Sequence, residues 1–197
     1  MTNMYLLRDD IASLDEQQTE RLLLALPEWR REVAMRYKHL AGRRESATAY
    51  LLLLEALQQQ YGINEAPHFV IGPHGKPSLL EFPHIHFNTS HCHKAVICAV
   101  GDAPVGVDIE GRRSIRDSLV DYTMNAAEKE RIARAEDPEM EFLKLWTAKE
   151  AVVKLSGEGI QDKIRDILTL AKDRNISVHT YINTKKDYVY SLAHHAT

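Results

Sequence analysis

Two long segments with apolar residues at helical spacing, 45–61 and 139–155, are each followed by several short strand-like runs. A helix with one apolar stripe must bury it, and a small antiparallel sheet is the surface such an order supplies. After the first helix come 67–71, 86–90 and 95–100; after the second come 167–170, 176–182 and 188–193. The run AVICAV near the middle resembles VYSLAH near the end. The expectation is an α+β protein of two similar halves, each a helix packed on a small antiparallel sheet. Residues 1–103 and 104–197 form the two halves, in a pseudo-twofold arrangement.

The flanking text is consistent with that plan. An opening strand at 4–7 leads into helices over 16–26 and 28–38, with Pro27 at a helix start, and Gly62 ends the helix over 45–61. The run GPHGKP (72–77) is a loop, because Gly and Pro break both periodicities. GVDIE (106–110) is a further strand, 126–135 a further helix, and Gly157-Glu158-Gly159 closes the helix over 139–155. With 197 residues and a formal net charge of −3, the chain is no strongly basic nucleic-acid binder. No apolar run approaches the roughly 20 residues of a membrane span, and MTNMYLLRDD lacks a basic start followed by a long apolar core, so no secretory signal is expected. If 91–101 is one strand, Cys92 and Cys98 lie about 20 Å apart and cannot pair, and free thiols fit a reducing cytoplasm.

GVDIE carries the chemistry. In a strand Val107 and Ile109 face one way, and Asp108 and Glu110 the other, so two negative charges stand side by side. They repel unless water solvates them or a cation lies between them. The helix text FLKLWTAKEAVVKL adds Glu150, with Lys154 one turn on. Singly, these are a solvated sheet face and an exposed ion pair. Together, three carboxylates and an ammonium suit Mg²⁺ on a phosphorylated substrate, because magnesium takes hard oxygen ligands and lysine offsets charge on a leaving phosphate.

Weaker signals surround this set. Lys76 lies in a tight loop that lacks the spacing of a nucleotide-binding P-loop. Ser90 and His91 open a strand and can donate to a phosphate, or Ser90 can serve a turn. The histidines His84, His86, His91 and His93 with Cys92 lack the paired spacing of zinc sites. Arg30, Arg31, Arg36, Lys38, Arg43 and Arg44 are either a solvated helix face or an anion site.

The ordered set RREVAMRY, GRRESA, GKPSL, FNTSH, GVDIE and WTAKEAVVK resembles the 4′-phosphopantetheinyl transferases of the larger, surfactin-synthetase-activating type. That resemblance implies transfer of the phosphopantetheine arm of coenzyme A to a serine of an acyl or peptidyl carrier protein, with release of 3′,5′-ADP. It implies a monomer with its site between the two halves. Asp108, Glu110 and Glu150 would hold Mg²⁺, and Lys154 would contact the pyrophosphate. Arg44, Lys76, Ser90 and His91 would contact the nucleotide and its phosphates, and Glu128 would lie near the site. Asp108, Glu150 and Lys154 would form the catalytic set. The proton of the carrier serine would go to Glu150 or to a metal-bound water. Cys92, His93 and Lys94 depart from the small polar residues usual after the Ser-His pair. Fatty-acid, polyketide and nonribosomal-peptide carriers all fit, and Arg112-Arg113 would form a basic rim for an acidic carrier. The alternative is a non-catalytic module that binds coenzyme A or a carrier.

Overall fold

A computed structural model of the chain describes residues 3–157 and 163–196. Strand β1 (Met4–Arg8) precedes helices α1 (Glu16–Leu24), α2 (Glu28–Met35) and α3 (Leu40–Tyr61). The hairpin β2 (Phe69–Ile71) and β3 (Pro77–Leu79) follows, then β4 (His86–His91) and β5 (Val96–Gly101). The second half runs β6 (Val105–Gly111), α4 (Asp117–Thr123), α5 (Ala126–Arg134), α6 (Pro138–Ser156), α7 (Ile167–Asp173), β7 (Ile176–Asn183) and β8 (Tyr188–His195).

The two main sheets share one plan. The first has the order β1-β5-β4 and the second β6-β8-β7, every pair antiparallel. Each half therefore opens with a strand, continues through helices, and ends with a hairpin whose last strand slots beside the first. AVICAV and VYSLAH fall on β5 and β8, the central strands of the two sheets.

Packing follows the side-chain periods. On α3, Leu52, Leu53, Ala56 and Leu57 cover Val96, Cys98 and Val100, one face of β5. The opposite face of β5, Ala95, Ile97 and Ala99, meets Val105, Val107 and Ile109 of β6 and forms the seam between the halves. The remaining parity of β6 (Gly106, Asp108, Glu110) turns toward α6. A Cβ on Gly106 would lie 2.0 Å from the Ala151 carbonyl and 2.5 Å from the Leu155 nitrogen, so only glycine lets α6 come this close. The outer edge of β6 meets β4 without a backbone ladder. Instead the amides of Val107 and Ile109 donate to Asn88 Oδ1 (2.9 Å) and Ser90 Oγ (3.3 Å).

The helix ends are built from local chemistry. Asp15 with Gln18, and Asn125 with Glu128, form capping boxes. Asp137 caps α6, Pro138 occupies its first turn, and Gly62 and Gly157 close α3 and α6 in the left-handed conformation. Glu158 and Gly159, expected to continue that ending, lie outside the described residues.

Several expectations need correction. The segment 91–101 is not one strand: β4 ends at His91, Cys92 donates its amide to the Ala95 carbonyl, and β5 starts at Val96. Cys92 and Cys98 are free thiols on a hairpin, about 10 Å apart along the ladder rather than 20. Segment 167–170 is the start of α7, since Ile167 and Leu168 with Ala171 pack on Ala151, Val152 and Leu155 of α6. A short strand, β3, follows the GKP turn, and α4 occupies a stretch given no element. Helix α3 begins at Leu40, five residues before the expected 45.

Candidate active site

Asp108 sits at the centre of the site, 5 % exposed beneath α6. Its Oδ1 accepts from the Lys154 ammonium at 2.6 Å and from the Ser90 hydroxyl at 2.9 Å. Lys154 also donates to Ser90 Oγ at 3.0 Å. Read singly, Glu150 and Lys154 suggest an exposed ion pair; instead Lys154 reaches across to Asp108 on β6, the strand facing its helix.

Glu110 lies two positions along the same face of β6. Its Oε1 accepts from the Trp146 indole at 3.2 Å and lies 3.5 Å from an Arg113 nitrogen. Trp146 is one turn before Glu150 on α6, so the tryptophan ties the second strand acid to the helix carrying the third. Burial pushes the Glu110 carboxyl above the usual carboxylate range, the Asp108 charge raises it further, and Arg113 and Lys154 oppose. Burial also raises Glu150, with Asp108 and Glu110 adding to the rise and Lys154 opposing it. Glu110 and Glu150 therefore each lie within electrostatic reach of Asp108.

Among the described residues, no set of three His, Cys, Asp or Glu side chains forms a ready-made metal cage. The fit to a cation rests on two buried oxygens, Asp108 Oδ2 and Glu150 Oε1, which have no hydrogen-bond partner among the described residues. Unpartnered buried carboxylate oxygens are costly, and a hard divalent cation is the ligand that such a donor set suits.

Lys76 is brought to the same place and used differently. Its ammonium donates to the carbonyls of Lys154 (2.6 Å) and Leu155 (2.9 Å), capping the end of α6, and burial lowers its pKa. A cleft of about 220 Å³ opens beside it, lined by His74, Lys76, Asn88, Lys154 and Gly157. His91, at the end of β4, lies 3.2 Å from Glu45 on α3. Arg44, the neighbour of Glu45, donates instead to the Leu14 carbonyl at 2.7 Å. Arg30 bonds Ser46 and stacks over the Tyr50 ring, and Arg43 donates to the Tyr37 carbonyl, so these basic residues brace the N-terminal helices. The basic rim is also half spent: Arg112 is bound by Asp137, Asp187 and Glu139, and Asp137 and Asp187 hold its pKa up.

Glu128 has a defined place. It closes the capping box of α5 and lies 2.9 Å from the fully buried Lys149 ammonium. Lys149 also donates to the Ile164 and Arg165 carbonyls. Reading the sequence missed Lys149, Trp146, Asn88, Gly106 and Glu45. For Trp146 the signal was available, because it stands one turn before Glu150 on the same helix.

Comparison with known proteins bears on this geometry. Residues 104–196 match the family described as the 4′-phosphopantetheinyl transferase superfamily. The chain is 33 % identical over 147 residues to 4′-phosphopantetheinyl transferase psf-1 of Bacillus pumilus, covering 73 % of this chain and 63 % of that protein. It is 27 % identical over 150 residues to 4′-phosphopantetheinyl transferase Sfp of Bacillus subtilis (strain 168), covering 75 % and 67 %. It is 28 % identical over 169 residues to 4′-phosphopantetheinyl transferase ffp of Bacillus subtilis, covering 84 % and 75 %. The chain thus spans under two thirds of psf-1 and somewhat more of the other two.

Proposed function

The chain belongs to the 4′-phosphopantetheinyl transferase superfamily, and from that premise we propose that it moves the phosphopantetheine arm of coenzyme A onto a serine of an acyl or peptidyl carrier protein, releasing 3′,5′-ADP. The observation that carries this reading is the contact of Lys154 with the buried Asp108 carboxylate, beside buried Asp108 and Glu150 oxygens that have no hydrogen-bond partner among the described residues.

Asp108, Glu110 and Glu150 are the residues that would hold Mg²⁺, which when bound offsets charge on the pyrophosphate. The rest is the chain's own work. Lys154 supplies a positive charge at the same point for the leaving phosphate oxygens. Glu150, whose carboxyl holds its proton more firmly than usual, is suited to take the carrier serine's proton, directly or through a water. Trp146 fixes the Glu110 carboxylate, and Gly106 sets the helix close enough for both elements to share one substrate. The nucleotide contacts of the first half, residues 1–103, fall at the cleft beside Lys76, whose lining also takes Lys154 and Gly157 from the second half, residues 104–197, which carries the acids.

The same reading makes the protein a monomer of the reducing cytoplasm, in line with its two free thiols, and one that binds neither nucleic acid nor membranes. No described helix is long and apolar enough to cross a membrane. The test is a mass-shift assay with Mg²⁺, coenzyme A and a panel of apo carriers. One carrier gains the mass of the arm with the natural chain and not with Asp108→Ala. No gain on any carrier, beside tight coenzyme A binding by calorimetry, overturns the transferase reading.

A further inference from the structure

We propose that Lys154 is the resident counter-ion of the acid cluster, held by Ser90 and Asp108, and that a divalent cation binds in competition with its ammonium. This rests on the reading of Asp108, Glu110 and Glu150 as the cation's ligands.

The contacts are specific. Lys154 stands one turn from Glu150, yet its ammonium lies on Asp108 Oδ1 at 2.6 Å. Ser90 completes the latch: its one hydroxyl proton goes to Asp108, and its lone pairs accept from Lys154 and the Ile109 amide. Every hydrogen-bonding capacity of that hydroxyl is used, which makes Ser90 a positioning residue for Asp108 and Lys154. Three half- to fully buried carboxylates with no cation would repel one another strongly, and the ammonium is the charge that offsets this in the metal-free protein. The second oxygen of Asp108 stays unpartnered among the described residues, so the latch takes only half of the carboxylate.

The latch is also built to move. The Lys154 side chain is 28 % exposed, so its long stem has somewhere to go. Its backbone is fixed, because Lys76 grips the carbonyls of Lys154 and Leu155. Release is therefore a side-chain swing that leaves the end of α6 in place. It carries a positive charge from the acids to the rim of the cleft, where Lys154 is itself a lining residue.

The test titrates the full chain with Mn²⁺, reading free ion by electron paramagnetic resonance without coenzyme A. Lys154→Met, and Lys154→Gln as a second neutral variant, should bind Mn²⁺ about tenfold tighter than the natural chain, the loss of one charge-assisted hydrogen bond. Lys154→Arg, which keeps the charge, should not. In chelator the two neutral variants should melt lower than the natural chain, and Mn²⁺ should raise their melting temperature more. Neutral variants that bind no tighter, while the natural chain binds and Asp108→Ala does not, overturn the proposal and leave the acid site standing. Natural and neutral chains that all bind no better than Asp108→Ala overturn the acid site and the proposal with it.

Discussion

The Lys149 ammonium lies 2.9 Å from the Glu128 carboxylate, with Lys149 wholly inside the protein and one position before the site acid Glu150. Burial lowers the lysine's pKa, and Glu128, by hydrogen bond and charge, pulls it back up. Removing the carboxylate strands a buried cation. Glu128→Gln should therefore cost about 3 kcal/mol in urea unfolding while keeping the cap of α5, which glutamine can also make. Glu128→Ala should cost roughly 1 kcal/mol more, because the cap goes too. Equal stabilities for the natural chain and Glu128→Gln would remove the pair from the list of structural anchors.

At Gly106 strand and helix backbone approach each other too closely for a side chain. The Cβ of Gly106→Ala would meet helix backbone, which cannot yield as a flexible side chain does, so α6 must lift from β6. The expected loss is about 3 kcal/mol. Mn²⁺ affinity should fall with it, because Glu150 moves away from Asp108. A variant with natural melting temperature and affinity would show that α6 has slack to spare.

Glu150 is held in a place its charge dislikes. Burial and Asp108 raise its folded pKa above the unfolded value, so the fold prefers the protonated form. The penalty is therefore present at neutral pH, shrinks as pH falls through the raised pKa, and is gone below about 4, the unfolded value. In chelator at pH 7, Glu150→Gln should melt about 2 °C higher than the natural chain, a gain under roughly 1 kcal/mol after allowing for partial solvent access. The gap should close near pH 4. A lower melting temperature at pH 7 would mean that Glu150 is stabilising without a cation.

Asp9 ties the start of the chain to its last hairpin. Its carboxylate accepts from the Lys186 ammonium at 2.9 Å and the Tyr188 hydroxyl at 3.0 Å. The Lys186 hydrogen bond is the main reason its pKa is lowered. A depressed carboxylate stabilises above its unfolded pKa and loses that effect as pH falls through the folded one. Asp9→Asn should therefore raise hydrogen exchange in the β7–β8 turn at pH 7, and the difference should fade below about pH 4. An unchanged turn at pH 7 would make the contact incidental.

What could be read in advance was whatever depended on neighbours along the chain. The alternation in GVDIE gives the facing of Asp108 and Glu110, and the one-turn spacing puts Glu150 and Lys154 together on α6. The repeated halves were visible in AVICAV and VYSLAH because central strands buried on both faces share an apolar character. One misreading shows how a local pattern fails. Residues 167–170 are short and apolar, a pattern that strand and helix share, and packing on α6 decided for helix. The partners of Lys76, Ser90, Arg44 and Arg112 lie 78, 18, 30 and 25 residues or more away, beyond what local spacing records. For each, the sequence shows a polar group and the tertiary fold chooses its use.

The shared strand order has a bearing on how the protein is made. β6, the strand bearing Asp108 and Glu110, has β8 as its ladder partner, some eighty residues later in the chain. During synthesis the acids emerge early and wait, since their strand has nothing to pair with until residues 188–195 leave the ribosome. A nascent chain stalled after α6 would carry every side chain of the crevice and still lack the backbone that holds two of its acids in line.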